Sequence, residues 1–181
     1  MEDVTTFLSE LPHQLKHEVS LFIYSDRYQK ITFIRFQTKA FVAWICPLLE
    51  PLVIEKEQYV YQEGDQINHF FFLMKGDVCY VLPRLLNKKY LRVDLGDKFG
   101  LIDIVEQQEN FLDCDLDELF AKSSKMHRCT TLQAQEETLL MKMDVKTLIK
   151  MKNMFPKEFE ILCDGLQSSF RKVMVVKQQA I

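Results

Sequence analysis

FFLMKGDVCYVL, at residues 71–82, places two runs of β-prone side chains on either side of a Lys-Gly-Asp turn. Aromatic and β-branched residues favour strands, and glycine supplies the backbone angles that a tight turn requires. The stretch therefore predicts two strands joined by a short turn.

Similar short runs precede and follow this pair along the chain. They are separated by Glu63-Gly64-Asp65 and by a Lys-rich loop at residues 87–89, and four of the five glycines fall between positions 64 and 100. Short strands with a turn signal about every ten residues indicate a sandwich, a barrel or a roll. The predicted strands are Leu52–Ile54, Tyr59–Tyr61, His69–Met74, Val78–Leu82, Tyr90–Val93 and Thr138–Met143.

The first 50 residues have a helical periodicity. A short apolar face at residues 7–11 is followed by Pro12, which ends that helix or begins the next one. A further helix is predicted over Thr38–Cys46, before Pro47. The helix between these two has an apolar stripe made of Leu15, Val19, Phe22 and Ile23.

The carboxy-terminal segment is also predicted to be helical. Asp144 is a candidate N-cap for a helix through Met151, because an aspartate side chain can accept from the free N–H groups of a first turn. Pro156 then begins a longer helix, since proline is favoured at the first helical position. Its apolar face is too wide to point at water and consists of Phe159, Leu162, Cys163, Leu166, Phe170, Val173 and Met174.

Composition limits the classes of function. The chain has 23 Lys and Arg against 26 Asp and Glu, which argues against a nucleic-acid partner held by charge. Five scattered cysteines without a C-x-x-C pair fit neither a disulfide framework nor a zinc site, and they favour a reducing compartment. The acidic start Met1-Glu2-Asp3 is unlike a signal peptide, and the longest apolar run, at residues 40–49, is shorter than the ~20 residues that span a bilayer.

Three segments resemble the strand-and-glycine frame of cyclic-nucleotide-binding domains. They are Glu63-Gly64-Asp65, the run at residues 71–78, and Gly96-Asp97-Lys98-Phe99-Gly100. Upstream, FLSELPHQLK at residues 7–16 is similar to the linker helix that joins pore to sensor in cyclic-nucleotide-gated and hyperpolarisation-activated channels. The resemblance covers nearly the whole chain apart from one insertion.

This resemblance implies an α+β fold: an antiparallel, jelly-roll-like β-roll of the cyclic-nucleotide-binding type with flanking helices. Residues 1–50 would be a linker-like helical segment with the first helix, and residues 51–143 would be the β-roll. An acidic insertion at about residues 107–125 would interrupt the roll. Residues 144–181 would form the C-terminal helices that act as a lid.

The resemblance also implies a ligand site. A short helix that begins at Gly100 would bind a cyclic phosphate through its N–H groups and dipole, and Arg128 would bind it through a charge-assisted pair. No cofactor is expected, because cAMP or cGMP would be a ligand. Contacts with that ligand are expected from Gly100, Leu101, Ile102, Arg128, Cys129, Thr130, Tyr80, Leu91 and Val93. The lid residues expected to meet the pocket or its filler are Phe170, Val173 and Met174.

Three departures from the family pattern weaken this site. Leu101 stands where the family has a glutamate that accepts from the ribose 2′-hydroxyl, which should cost ~1–3 kcal/mol, or roughly 5- to 150-fold in affinity. Cys129 replaces a hydroxyl residue, and the insertion adds acidic residues that would repel a phosphate. Two versions stay open: weak binding anchored by Arg128, or a pocket filled by the protein's own side chains or by the insertion. We prefer the second.

The resemblance predicts a regulatory, non-catalytic, cytosolic part of a tetrameric cation channel, with potassium as the expected ion. Its partners would be neighbouring subunits of a homotetramer, and only an absent transmembrane part would touch the membrane. The alternative is a cAMP- or cGMP-binding regulatory module of a soluble signalling protein such as a kinase regulatory subunit, which usually has two tandem rolls. A bacterial-type transcription regulator would add a basic recognition helix after the roll.

Metal and enzyme hypotheses find less support in the sequence. The aspartates at residues 113–117 resemble the opening of a calcium loop, but Glu118 stands where that loop needs glycine. His13 and His17 lie one helical turn apart without a third ligand. No Ser/His/Asp order, P-loop or nucleophile motif is present, and nothing near Cys129 suggests an oxyanion hole, so no catalytic activity is predicted.

Overall fold

The computed structural model describes residues 25–105, 111–121 and 126–181, together with positions 6, 10–12, 15, 18–19 and 22. The helices predicted before residue 24, including the linker-like segment, lie largely outside the described residues. Helix α1 spans Ser25–Tyr28 and α2 spans Lys39–Ile45. Thr38 caps α2 by accepting from the N–H of Phe41 at 3.3 Å.

In the described residues, eight strands form two four-stranded antiparallel sheets. One sheet has the order β1-β8-β3-β6 and the other the order β2-β7-β4-β5. All six predicted strands are present, whereas β6 and β7 were not predicted. The strands are β1 (Glu50–Ile54), β2 (Tyr59–Tyr61), β3 (His69–Lys75), β4 (Val78–Leu82), β5 (Lys88–Arg92), β6 (Lys98–Phe99), β7 (Leu132–Ala134) and β8 (Thr138–Asp144).

The turn after β3 carries the chain from one sheet to the other. At its centre Gly76 has a φ of +98°, and a Cβ there would lie 2.5 Å from Oγ1 and 2.8 Å from Cα of Thr138. Backbone angle and space therefore both require glycine at this position. Residues 70–74 of β3 are all buried, so both faces of the strand are covered. The resulting core includes the paired rings of Phe70 with Phe72 and of Phe71 with Phe99.

Between β6 and β7 the described residues form two short helices, α3 (Ile102–Val105) and α4 (Leu116–Ala121). Helix α4 belongs to the predicted insertion. Oδ1 of Asp115 caps it by accepting from the N–H groups of Asp117 and Glu118 at 2.9 and 3.1 Å.

Helices α5 (Thr147–Met154), α6 (Pro156–Cys163) and α7 (Leu166–Ala180) close the chain. The expectation of one continuous helix from Pro156 was wrong, because the chain breaks at Gly165, whose φ of +73° is left-handed. Asp144 does not cap α5 directly: its Oδ1 accepts from the N–H of Lys146 at 2.8 Å, one residue before the helix.

Candidate functional site

Gly100 and Arg128 meet in the interior of the roll. Nη1 of Arg128 donates to the Gly100 carbonyl at 2.6 Å, and Nη2 donates to the carbonyl of His69. Gly100 has a φ of +87°, and a Cβ at this position would lie 3.0 Å from Nη1 of Arg128. Glycine thus permits both the backbone conformation and the close approach of the guanidinium.

The charge of Arg128 is balanced by Asp103, which was not predicted as a site residue. Nη1 of Arg128 lies 3.0 Å from Oδ2 of Asp103, and the two side chains are 2% and 0% exposed. The other carboxylate oxygen, Oδ1, accepts from the N–H of Cys129 at 3.1 Å and from the hydroxyl of Thr130 at 2.9 Å. The Cys129 thiol lies 3.1 Å from the same oxygen. We call residues 128–130, as donors to this carboxylate, the carboxylate cradle.

The chemistry of the carboxylate cradle is that of an anion site. A guanidinium, a backbone N–H and a hydroxyl are donors that bind carboxylates and phosphates alike. A carboxylate is stable in the interior only when it is paired and hydrogen-bonded, and Asp103 has donors to both of its oxygens. The anion that the cradle holds is therefore a side chain of the same protein.

The sequence did contain a signal for this residue. Asp103 lies within Leu101-Ile102-Asp103-Ile104-Val105, where it is the one charged residue among four apolar ones. All five of these residues are buried. An acidic residue in a buried apolar run needs a buried partner, and Arg128 is that partner.

Aromatic side chains surround the ion pair. Cζ of Arg128 lies 4.0 Å from the ring centroid of Tyr61, a cation–π contact. Burial raises the pKa of the Tyr61 and Tyr80 hydroxyls well above their ordinary value, and the negative charge of Asp103 raises both pKa values further. These tyrosines therefore stay neutral at physiological pH and add no second negative charge beside Asp103.

A cleft of about 160 Å³ lies between the roll and α7. This volume is smaller than the ~300 Å³ at which ligand pockets typically begin. Leu101 presents an apolar side chain to the cleft at the position where the family pattern has the ribose acceptor. Of the predicted ligand contacts, those that line the cleft are Tyr80, Leu91, Val93, Leu101 and Ile102.

Helix α7 supplies one wall of this cleft. Of the three predicted lid residues, Val173 lines the cleft and is 4% exposed. Phe170 packs against the core, and neither it nor Met174 is among the lining residues. Because the helix begins anew at Leu166, its cleft-facing positions are Leu166, Ser169, Lys172 and Val173.

The other predicted contacts, Gly100 and the cradle residues 128–130, do not line the cleft. Arg128 lines a separate cavity of about 340 Å³ together with Tyr61, Asp65 and His69. The predicted ligand contacts thus fall into an apolar group at the cleft and a polar group around Asp103.

Two lysines attach the end of α7 to the roll, and one of them reaches the cradle. Nζ of Lys177 donates to the carbonyl of Cys129 at 2.8 Å and lies 2.9 Å from Oε2 of Glu63. Nζ of Lys88 donates to the carbonyl of Ala180 at 2.8 Å. The carboxy-terminal end of α7 is therefore hydrogen-bonded to the roll.

The acidic insertion lies elsewhere, as far as it is described. The ring of Phe111 packs against Phe159 with centroids 6.0 Å apart, and Nζ of Lys152 donates to the carbonyl of Cys114 at 2.8 Å. Residues 111–121 contribute nothing to the cleft lining, so these residues do not fill it, although the sequence left a pocket filled by the insertion open as one version.

In the described part of the chain, no group of three or more His, Cys, Asp or Glu side chains is arranged to hold a metal ion, and His13 and His17 lie outside that part. Among the described helices, none combines the length and apolar character needed to cross a bilayer.

Known proteins share this fold. A 77-residue segment is 26% identical to cyclic nucleotide-gated ion channel 2 of Arabidopsis thaliana, and the match covers 42% of this chain but 11% of the channel. The structure superposes on a Geobacter metallireducens GS-15 protein named as cyclic-nucleotide-binding, with a TM-score of 0.56 and 12% identity, over 76% of this chain and 88% of that one. No family model matches the chain.

The chain therefore has the α+β architecture predicted from the sequence: a β-roll domain of the cyclic-nucleotide-binding type. In such a domain a cyclic nucleotide is a ligand and not a cofactor.

Proposed function

We propose that this chain is a regulatory, non-catalytic domain whose phosphate position is occupied by its own Asp103. The observation that carries the proposal is the set of bonds from residues 128–130 to that carboxylate. A cyclic phosphate would have to displace a buried anion that is already bonded through both oxygens. Leu101, apolar and 1% exposed, would then leave a ribose hydroxyl without its expected acceptor. Cyclic nucleotides should therefore bind weakly or not at all.

We further propose that the domain belongs to the cytosolic part of a tetrameric channel subunit, with neighbouring subunits as its partners. Two facts support this context: residues 7–16 resemble the linker helix of channels, and the Arabidopsis relative is named as an ion channel. Potassium selectivity stays a prediction from the resemblance.

The alternative is a regulatory module of a soluble signalling protein. It is favoured by the bacterial structure, since 88% of that protein is covered by this single roll with its helices. The full-length gene separates the two contexts. Six hydrophobic spans upstream of the roll would support the channel, and their absence would support the soluble module.

Calorimetric titration of the wild-type domain with cAMP and cGMP tests the proposed occupant. We expect no saturable heat at ligand concentrations up to about 1 mM, which corresponds to binding free energies weaker than about −4 kcal/mol. Leu101→Glu is the matched control, because it restores the missing acceptor but leaves Asp103 in the cradle. This variant should also show no saturable heat. Micromolar binding by the wild-type domain would contradict the proposal.

A further inference from the structure

We propose that Lys177 couples the docking of helix α7 to the state of the carboxylate cradle. The inference rests on the proposed function, because it treats Asp103 as the anion that holds residues 128–130 in place. It adds the residue through which occupancy of the cradle is transmitted to the lid.

Cys129 is the point of contact between the two. Its N–H donates to Oδ1 of Asp103 at 3.1 Å, while its carbonyl accepts from Nζ of Lys177 at 2.8 Å. Because both bonds involve backbone groups of one residue, a shift of the cradle moves the acceptor of Lys177. Loss of Asp103 from the cradle therefore changes the attachment of α7 directly.

A second branch of the same network runs through the turn after β2. Oε2 of Glu63 lies 2.9 Å from Nζ of Lys177, and the N–H of Glu63 donates to Oγ1 of Thr131 at 2.9 Å. The N–H of Gly64 donates to the carbonyl of Arg128 at 2.9 Å. Lys177 thus bridges the turn after β2 and the cradle, two segments that are already bonded to each other.

Burial decides which bond of Lys177 carries the coupling. The Lys177 side chain is 15% exposed, whereas that of Glu63 is 61% exposed. The ion pair with Glu63 is therefore screened by solvent and contributes little. The charge-assisted bond to the Cys129 carbonyl is the stronger attachment.

Lys88, the first residue of β5, offers a matched control because its side chain also attaches α7 to the roll. It donates to the carbonyl of Ala180 at 2.8 Å, which is the same kind of bond at the end of α7 but outside the carboxylate cradle. Lys88→Met and Lys177→Met each remove one tether of α7, and only the second removes a bond to a cradle residue.

The experiment combines hydrogen exchange of the α7 amides with labelling of the Cys129 thiol, followed site by site by mass spectrometry. Both variants should raise α7 exchange, by about tenfold for Lys177→Met, as expected for one charge-assisted bond. Only Lys177→Met should raise Cys129 labelling. Because coupling acts in both directions, loss of the Lys177 bond should loosen the contact of the Cys129 thiol with Asp103. Equal labelling in the two variants would show that α7 merely covers the thiol, and unchanged labelling in Lys177→Met would equally overturn the coupling.

A double-mutant cycle separates this inference from the proposed function. Lys177→Met and Asp103→Asn should be non-additive in α7 exchange, whereas Lys88→Met and Asp103→Asn should be additive. Additivity in both pairs would overturn the coupling. Micromolar cAMP binding by the wild-type domain would overturn the proposed occupant and leave the labelling result standing.

Discussion

Asp103 and Arg128 form an ion pair at 3.0 Å, with side chains that are 0% and 2% exposed. The arginine that the family resemblance assigns to a ligand phosphate therefore already has a counter-charge within the chain. A buried pair of this kind contributes little net stability, but the loss of either partner leaves an uncompensated charge in the interior.

Removal of the arginine alone should therefore cost more than removal of the pair. Arg128→Met should lower the free energy of unfolding by about 3–5 kcal/mol, because it strands the carboxylate of Asp103. The double variant Arg128→Met with Asp103→Leu should recover part of that loss. Urea denaturation of the wild type, both single variants and the double variant measures the coupling. A double variant as unstable as the sum of the single variants would show that the pair does not interact as the structure indicates.

The contact between Gly100 and Arg128 can be tested by adding one methyl group. Gly165 and Gly100 both have positive φ, but a Cβ at Gly165 meets nothing within 4 Å, whereas one at Gly100 lies 3.0 Å from Nη1 of Arg128. Gly165→Ala should cost about 1–3 kcal/mol for the backbone strain. Gly100→Ala should cost about 1 kcal/mol more, because the guanidinium must move. Thermal unfolding gives both values, and equal costs would argue against a tight contact at Gly100.

Buried thiols should make the fold sensitive to alkaline pH. Burial raises the pKa of Cys46 and of Cys163 from 9.0 to about 12. At a pH between 9.0 and about 12, the two thiols keep their protons in the folded state and release them in the unfolded state. The contribution of these thiols to the free energy of unfolding is thus complete below pH 9.0 and decreases above it, by up to about 1.4 kcal/mol per pH unit for each thiol.

Urea denaturation across the alkaline range measures this decrease. Cys163→Ala should give a shallower decline than the wild type, since one of the two thiols no longer titrates. A free energy of unfolding that is independent of pH above 9.0, or that rises there, would contradict the assignment of these thiols to the interior.

The sequence predicted the strands well wherever periodicity and glycine turns agreed. The two strands it did not reveal are short: β6 has two residues, Lys98 and Phe99, and β7 has three. Runs of this length form because neighbouring strands pair with them, and pairing partners are not visible in a local pattern. The break at Gly165 was signalled by Asp164-Gly165, but the apolar stripe that continues through Leu166 and Phe170 obscured it.

The site could be predicted only as far as the resemblance reached. Gly100 and Arg128 do meet, and five apolar positions do line one cleft. The role of Asp103 could not follow from the resemblance, because it depends on a pairing across 25 residues of chain that includes the insertion. The physical signal was an acidic side chain within a buried apolar run. Among the predicted site residues, Arg128 was the positively charged one and could therefore pair with it.

If Asp103 is the resident anion, its removal together with restoration of the ribose acceptor should create a nucleotide site. Asp103→Ala removes the carboxylate that pairs with the guanidinium of Arg128 and accepts from the N–H of Cys129, and Leu101→Glu adds the missing acceptor. The double variant should bind cAMP roughly 5- to 150-fold more tightly than Asp103→Ala alone. Circular dichroism confirms that each variant is folded before its binding is compared.

The most direct measurement is therefore a pair of cAMP titrations, on the wild-type domain and on the folded Asp103→Ala, Leu101→Glu variant. We expect no saturable binding by the wild type and saturable binding by the variant. Binding by the wild type at least as tight as that of the variant, or a folded variant that does not bind, would contradict the assignment of Asp103 as the internal occupant of the phosphate position.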